Sequence, residues 1–357
     1  MPNMVLNGVE VEVPEGLTIL EAARQVGVHI PTLCYLKDVS AISSCRVCVV
    51  DVEGEDHPVA SCVAPVKEGM RVNTESSRLT AYRRMALDLI LSDHGLDSTN
   101  YCFSCVANGS CELQAVCREC GVVEPTFRTT SGRGQGPVLD ANPFLSYDPN
   151  LCIACQRCVG ACNKAARNHA LRTVKHGLRT AIEAPFGEEW RMAACESCGT
   201  CAQACPTGAL TEKRQKGYRS GDAHRVRTTC PHCGVGCQLD LVVKEGHLMD
   251  AEGAPGPSNK GLLCVKGRSG SFDFVEAPDR LTTPLVKNRA TGTFEPVTWD
   301  RAFEVIAARF TELRDAFGGM SLAAFACSRS TNEDVYLFQK MARTAFRTNN
   351  VDCCARV

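Results

Sequence analysis

Twenty-four of the 357 residues are cysteine, and 19 of them fall into five sets at spacings that metal chemistry uses. In a small exported domain so many thiols would become disulfides. In a chain of this length, whose opening Met1–Gly8 does not read as a signal peptide, they read as metal ligands in a cytoplasmic protein. The balance of 39 Lys+Arg against 40 Asp+Glu gives a net charge of −1, which argues against nucleic acid or an anionic membrane as the main partner. No run of about eighteen apolar residues is present, so no membrane span is expected.

The first set, Cys34, Cys45, Cys48 and Cys62, is C-x10-C-x2-C-x13-C. Four thiolates on one irregular loop can hold two irons and two sulfides, and the close Cys45/Cys48 pair allows both to bind one iron. Cys102, Cys105 and Cys111 form C-x2-C-x5-C. Cys152, Cys155, Cys158 and Cys162, then Cys195, Cys198, Cys201 and Cys205, repeat C-x2-C-x2-C-x3-C. In two-cluster ferredoxins the fourth Cys of each such run ligates the other cluster. That rule assigns Cys152, Cys155, Cys158 and Cys205 to one [4Fe–4S] and Cys195, Cys198, Cys201 and Cys162 to its neighbour. The last set, Cys230, Cys233, Cys237 and Cys264, is C-x2-C-x3-C-x26-C, a spacing that a zinc ribbon could also show.

Between the cysteines the chain reads as an α+β multidomain protein. Residues 1–78 open with strands around Asn7-Gly8, the strongest short hairpin signal. A helix follows from Thr18, capped with Glu21 and ended at Gly27. Hairpin, helix and Cys-bearing loop suggest a β-grasp ferredoxin. Residues 79–130 combine a helix from Leu79 to Leu91 with the second set. Ser131–Pro137 is a linker, residues 146–212 hold the repeat, and basic residues from Lys213 to Arg227 connect to a unit at 223–280. Within 281–357, Phe303, Ile306, Phe310 and Leu313 predict a helix stripe, Leu322–Ala326 a buried strand, and Val335, Phe338, Met341 and Ala345 a second helix. This is the opening of an α/β domain.

These motifs carry a resemblance along the whole chain. The first set resembles the [2Fe–2S] domain of the respiratory complex I and iron-hydrogenase families, with Ser44 where those usually have Gly; a slightly altered loop is the expectation. Cys102, Cys105 and Cys111, followed by Glu112-Leu113-Gln114, resemble the [4Fe–4S] module held by one His and three Cys. His94 is then the fourth ligand, displaced by an apparent insertion at Ser98–Tyr101, with Cys117 and Cys120 as the substitutes. The Cys230 set, ending Cys264-Val265-Lys266-Gly267, resembles the [4Fe–4S] domain of the molybdopterin oxidoreductases, and within them the formate dehydrogenases.

The resemblance implies that Lys266 stands between cluster and pterin as an electron relay. It also implies that the loop from Ser328, with Asn332, binds a bis-molybdopterin guanine dinucleotide carrying molybdenum or tungsten. One [2Fe–2S] and four [4Fe–4S] clusters would carry electrons from formate to a flavin- and NAD(P)-binding diaphorase partner with clusters of its own. A complex I-like or iron-hydrogenase large iron–sulfur subunit, or a stand-alone polyferredoxin, are the alternatives. The ending Cys353-Cys354-Ala355-Arg356-Val357 resembles the stretch just before the catalytic selenocysteine of formate dehydrogenases. Codon 358 is therefore expected to be UGA, so that the 357 residues alone lack the catalytic residue and should be inactive.

Overall fold

The computed structural model describes residues 1–94, 102, 105–127, 136–175, 177, 180–183, 195–213, 222–268 and 272–354. The apparent insertion Ser98–Tyr101, most of the Ser131–Pro137 linker, the basic stretch over 214–221 and the terminal 355–357 lie outside the described residues. The chain divides into two compact units, one of residues 1–226, 241–252 and 263–269, the other of 227–240, 253–262 and 270–357.

In the first unit, strands β1 (Asn3–Leu6) and β2 (Val9–Glu12) form the hairpin that Asn7-Gly8 predicts, both residues at positive φ (51° and 84°). Helix α1 (Ile19–Gln25) follows, with Thr18 and Glu21 closing the expected capping box. Strands β3 (Val49–Val52), β4 (Val59–Ala60) and β5 (Met70–Asn73) complete a five-stranded sheet in the order β2-β1-β5-β3-β4. β1 and β5 run parallel at its centre. Met4, Leu6, Ile19, Leu20, Ile30 and Val50 form its buried core. Helix α2 (Ser77–Ser92), capped by Ser76, buries Leu79, Leu87 and Leu91, and α3 (Glu112–Cys120) packs nearby. The ferredoxin repeat is closed by pairing of Leu145–Tyr147 with Leu210–Glu212.

In the second unit, helix Trp299–Phe317 is capped by Thr298 and helix Asn332–Thr344 by Thr331. Strands Ala324–Ala326 and Val351–Cys353 pair in parallel. The expected buried strand Leu322–Ala326 is shorter and only half buried: Ala324 points inward while Phe325 is 79% exposed, because neighbouring side chains in a strand face opposite sides. Phe303, Ile306 and Met341 of the two helix stripes are also exposed. Among the described residues no helix is long and apolar enough to cross a membrane.

Candidate metal centres

The β-sheet end of the first unit buries all four thiols of the first set. Side-chain hydrogen bonds run Cys34–Cys45 and Cys48–Cys62. The bond from Cys45 draws Cys34 down to about 5, and the bond from Cys62 draws Cys48 to about 7, so one thiolate is favoured within each pair. These bonds pair Cys34 with Cys45 and Cys48 with Cys62, and Cys62 also feels the charges of Cys34 and Cys45, so the four thiols stand together. Ser43 and Arg46 carry the loop through positive φ (55° and 56°), whereas Ser44 does not. A glycine is therefore not required at 44, and its hydroxyl donates to Cys34.

The second set lines a cavity of about 570 Å³ together with His94, Cys117, Leu151 and Gly208. His94 is 5% exposed, burial holds its pKa down at about 4, and its buried Nδ1 has no hydrogen-bond partner among the described residues. A neutral imidazole with an unused nitrogen beside three thiols is the donor set that an iron–sulfur group needs. Cys117 lines the same cavity, its thiol raised to about 12 by burial, which disfavours the thiolate; Cys120 is not among the lining residues.

In the ferredoxin repeat the charges that act on each buried thiol reveal its neighbours. Cys155 and Cys158, both pushed up chiefly by burial, feel Cys205 and Cys152. Cys201 and Cys162 are also pushed up chiefly by burial. Cys201 feels Cys198, Cys162 and Cys195, and Cys162 feels Cys198 and Cys195. The fourth thiol of each run thus stands with the other run. The two loops also share a backbone: Ala154 and Ser197 take φ of 51° and 54°, and Gln156 and Gly199 take 59° and 74°.

Contacts that the spacing does not announce join these centres. Arg157, between Cys155 and Cys158, is 5% exposed; its Nη1 donates to Glu112 Oε2 at 2.7 Å and to the carbonyl of Leu33 at 3.3 Å. Glu112 follows Cys111 and Leu33 precedes Cys34, so one guanidinium within the ferredoxin repeat touches the neighbours of two other thiol sets. Pro206, after Cys205, accepts from the Cys111 thiol at 3.6 Å. A Cβ on Gly208 would stand 2.6 Å from Cys105 Sγ, so a larger residue there would push against that thiol. The only local hint of the Arg157 junction is a charged residue inside a C-x2-C interval.

Of the fourth set, Cys230 and Cys237 are tied by a Cys230 N–H to Cys237 carbonyl bond of 2.8 Å. Gly234 in this loop faces the carbonyls of Ser330 and Ser328, which a Cβ would meet at 3.0 and 3.2 Å. The loop from Ser328 sits at the carboxyl ends of the two parallel strands, where α/β folds bind ligands. Asn332 begins the following helix, but Glu333 and Asp334 in its first turn make that end a poorer anion site than a bare N-terminus. Cys264 and Lys266 are exposed. Among the described residues no group of three or more His, Cys, Asp or Glu side chains is placed to hold a single metal ion.

Sequence families match in the same order as these centres. Residues 3–77 match a 2Fe-2S iron-sulfur cluster binding domain, and 83–126 the NADH-ubiquinone oxidoreductase-G iron-sulfur binding region. Residues 142–211 match the ferredoxin-like domain of NADH-quinone oxidoreductase subunit 3. Residues 223–273 match the molybdopterin oxidoreductase Fe4S4 domain, and 280–357 molybdopterin oxidoreductase. Along its length the chain is thus similar to NADH-quinone oxidoreductase G-like iron–sulfur modules followed by molybdopterin oxidoreductase domains.

The chain is 36% identical over 366 residues to the NADPH-Fe(3+) oxidoreductase subunit alpha of Geobacter sulfurreducens, covering 100% of this chain and 40% of that protein. It is 36% identical over 359 residues to an NADH-quinone oxidoreductase subunit of Rhizobium meliloti, with the same coverage. A Staphylococcus haemolyticus protein with a provisional formate dehydrogenase name is 30% identical over 398 residues, covering 99% of this chain and 39% of its own. The chain therefore spans about 40% of the length of the curated relatives it matches. A chain in a crystal structure of NAD+-reducing [NiFe]-hydrogenase superposes with a TM-score of 0.54 at 31% identity, covering 59% of this chain and 87% of that one.

Proposed function

We propose that the chain is the iron–sulfur conducting part of an NAD(P)-linked formate dehydrogenase. Its ligands are Cys34, Cys45, Cys48 and Cys62 for a [2Fe–2S], and His94, Cys102, Cys105 and Cys111 for a [4Fe–4S]. The crossed sets of the repeat hold two further [4Fe–4S], and the fourth set, on its sequence spacing, holds another. When bound, such clusters accept and pass on single electrons. The chain's own residues fix the ligands, bury them from water and hold neighbouring modules in contact.

The observation that carries this reading is the junction at Arg157. Leu33, Glu112 and Arg157 meet there, so the loop of the first set, the His94 module and the ferredoxin repeat are in contact, which supports a path for electrons through all three. The resemblance to formate dehydrogenases and the relative bearing that provisional name support formate as the electron donor. A molybdenum or tungsten bis-pterin is then held in part by the loop from Ser328, Lys266 is the electron relay that the resemblance implies, and a diaphorase partner receives the electrons. The likeness to the NAD+-reducing hydrogenase chain favours a second reading, in which the same modules serve a hydrogenase-type complex.

The cluster reading requires about eighteen irons per anaerobically purified chain, matched by acid-labile sulfide. Stoichiometric zinc with only a few irons would overturn it. The complete gene product assembled with its partner should reduce NAD(P) with formate; turnover with dihydrogen alone would select the second reading.

His94→Ala is expected to remove or perturb one [4Fe–4S] EPR signal while the others persist. An unchanged spectrum would transfer the ligand role to Cys117, the spare thiol in the same cavity.

A further inference from the structure

The turn that bears Cys264 and Lys266 is fastened to the ferredoxin repeat by the buried side chain of Arg268. In the helix Val265–Arg268 the Arg268 N–H donates to the Cys264 carbonyl at 3.1 Å. The Arg268 side chain then crosses Gly199, inside the turn Cys198-Gly199-Thr200-Cys201. Gly199 has φ +74°, and a Cβ there would lie 2.3 Å from Arg268 Cδ and 3.1 Å from Nε, so only glycine lets the side chain pass. Beyond it, Nη1 donates to Glu212 Oε1 at 2.7 Å and Nη2 donates to the Gln203 side-chain carbonyl. Arg268 is 2% exposed and Glu212 1%.

The remaining nitrogen, Nε, is buried and has no partner among the described residues. A guanidinium Nε is a hydrogen-bond donor with no acceptor capacity, and leaving a buried N–H unpaired is costly. An acceptor therefore belongs beside it. The turn it crosses supplies Cys198 and Cys201, whose thiols neighbour Cys195 and Cys162.

We propose that Arg268 donates its Nε–H to a sulfur of the [4Fe–4S] cluster held by Cys162, Cys195, Cys198 and Cys201, and that Arg268 and Glu212 together set that cluster's reduction potential. This rests on the ligand sets proposed above. Hydrogen bonds to cluster sulfurs and nearby charge both govern such potentials. The cation favours the more negative, reduced state and raises the potential; the carboxylate opposes it. The same side chain keeps the Lys266 turn in register with the ferredoxin.

The test is a redox titration of the cluster-loaded full chain, followed by EPR at the signal that Cys198→Ala removes. Arg268→Gln should lower the potential of that cluster alone. Glu212→Gln should raise it, and the double variant should return toward the parent. Potentials that stay put at full iron content, that shift in the same direction in both single variants, or that shift at a different cluster would overturn the proposal. Should Arg268→Gln fail to load iron, Arg268→Lys keeps the charge without an Nε–H in that place. A smaller downward shift supports the hydrogen bond, and an unchanged potential removes it. If Cys198→Ala removes no signal, the ligand assignment itself fails, and the proposal with it.

Discussion

Changing Cys205 to alanine is expected to strip the [4Fe–4S] cluster of Cys152, Cys155 and Cys158 while sparing the one of Cys195, Cys198 and Cys201, although Cys205 belongs to the latter run. Cys162→Ala should do the reverse. The reason is spatial: Cys205 is among the charges that act on Cys155 and Cys158, whereas Cys162 acts on Cys201. Each variant should lose about four irons and one EPR signal, since alanine offers no ligand atom. Alanine is a more decisive choice than serine, whose hydroxyl could keep a weakened cluster in place. If each variant instead loses the cluster of its own run, the ligand sets are uncrossed.

Glu212→Ala is expected to destabilise the first unit by about 3–5 kcal/mol, the range for breaking a buried ion pair and leaving one charge uncompensated. Arg268 and Glu212 side chains are only 3% and 1% exposed, so solvent screening offers little relief. Glu112→Ala should cost distinctly less: the Glu112 side chain is 46% exposed, and water can take its place beside Arg157. A chain this long does not unfold in one step. The loss should therefore be followed in denaturant through the ferredoxin EPR signals, with parent and variants side by side. Replacing both Arg268 and Glu212 by apolar residues of similar size should recover much of the loss, because no orphan charge remains. Equal midpoints for Glu212→Ala and the parent would mean that the pair is not formed in solution.

What could be read in the sequence and what could not separate along the range of the interactions. The Asn7-Gly8 hairpin, the Thr18–Glu21 capping box and the helix over Leu79–Leu91 are fixed by residues within a few positions of each other, and they stand where the periodicity puts them. The cysteine sets are local too, so candidate ligands were visible at once. Thiol pairing is not local. Cys45 and Cys48 are separated by only two residues, yet their thiols bond to Cys34 and Cys62, each much farther along the chain.

The glutamate partners of Arg157 and Arg268 lie 45 and 56 residues away. Nothing near either arginine in the sequence points to them. The half-exposed strand Ala324–Ala326 shows the opposite failure: apolar composition suggested burial on both sides, but each face needs its own partner to be buried.

The matched left-handed positions of the two ferredoxin loops, Ala154 with Ser197 and Gln156 with Gly199, describe one backbone template used twice. Their side chains have nonetheless diverged in what they meet. The first loop presents Arg157 to Leu33 and Glu112, and the second offers a bare Gly199 across which Arg268 runs. The halves have thereby lost their interchangeability. A chimera in which segments 152–162 and 195–205 trade places would set Gln156 in the path of Arg268 and leave Glu112 facing Thr200. A domain with near-twofold symmetry has acquired a head and a tail, and can be built into its neighbours in one orientation only.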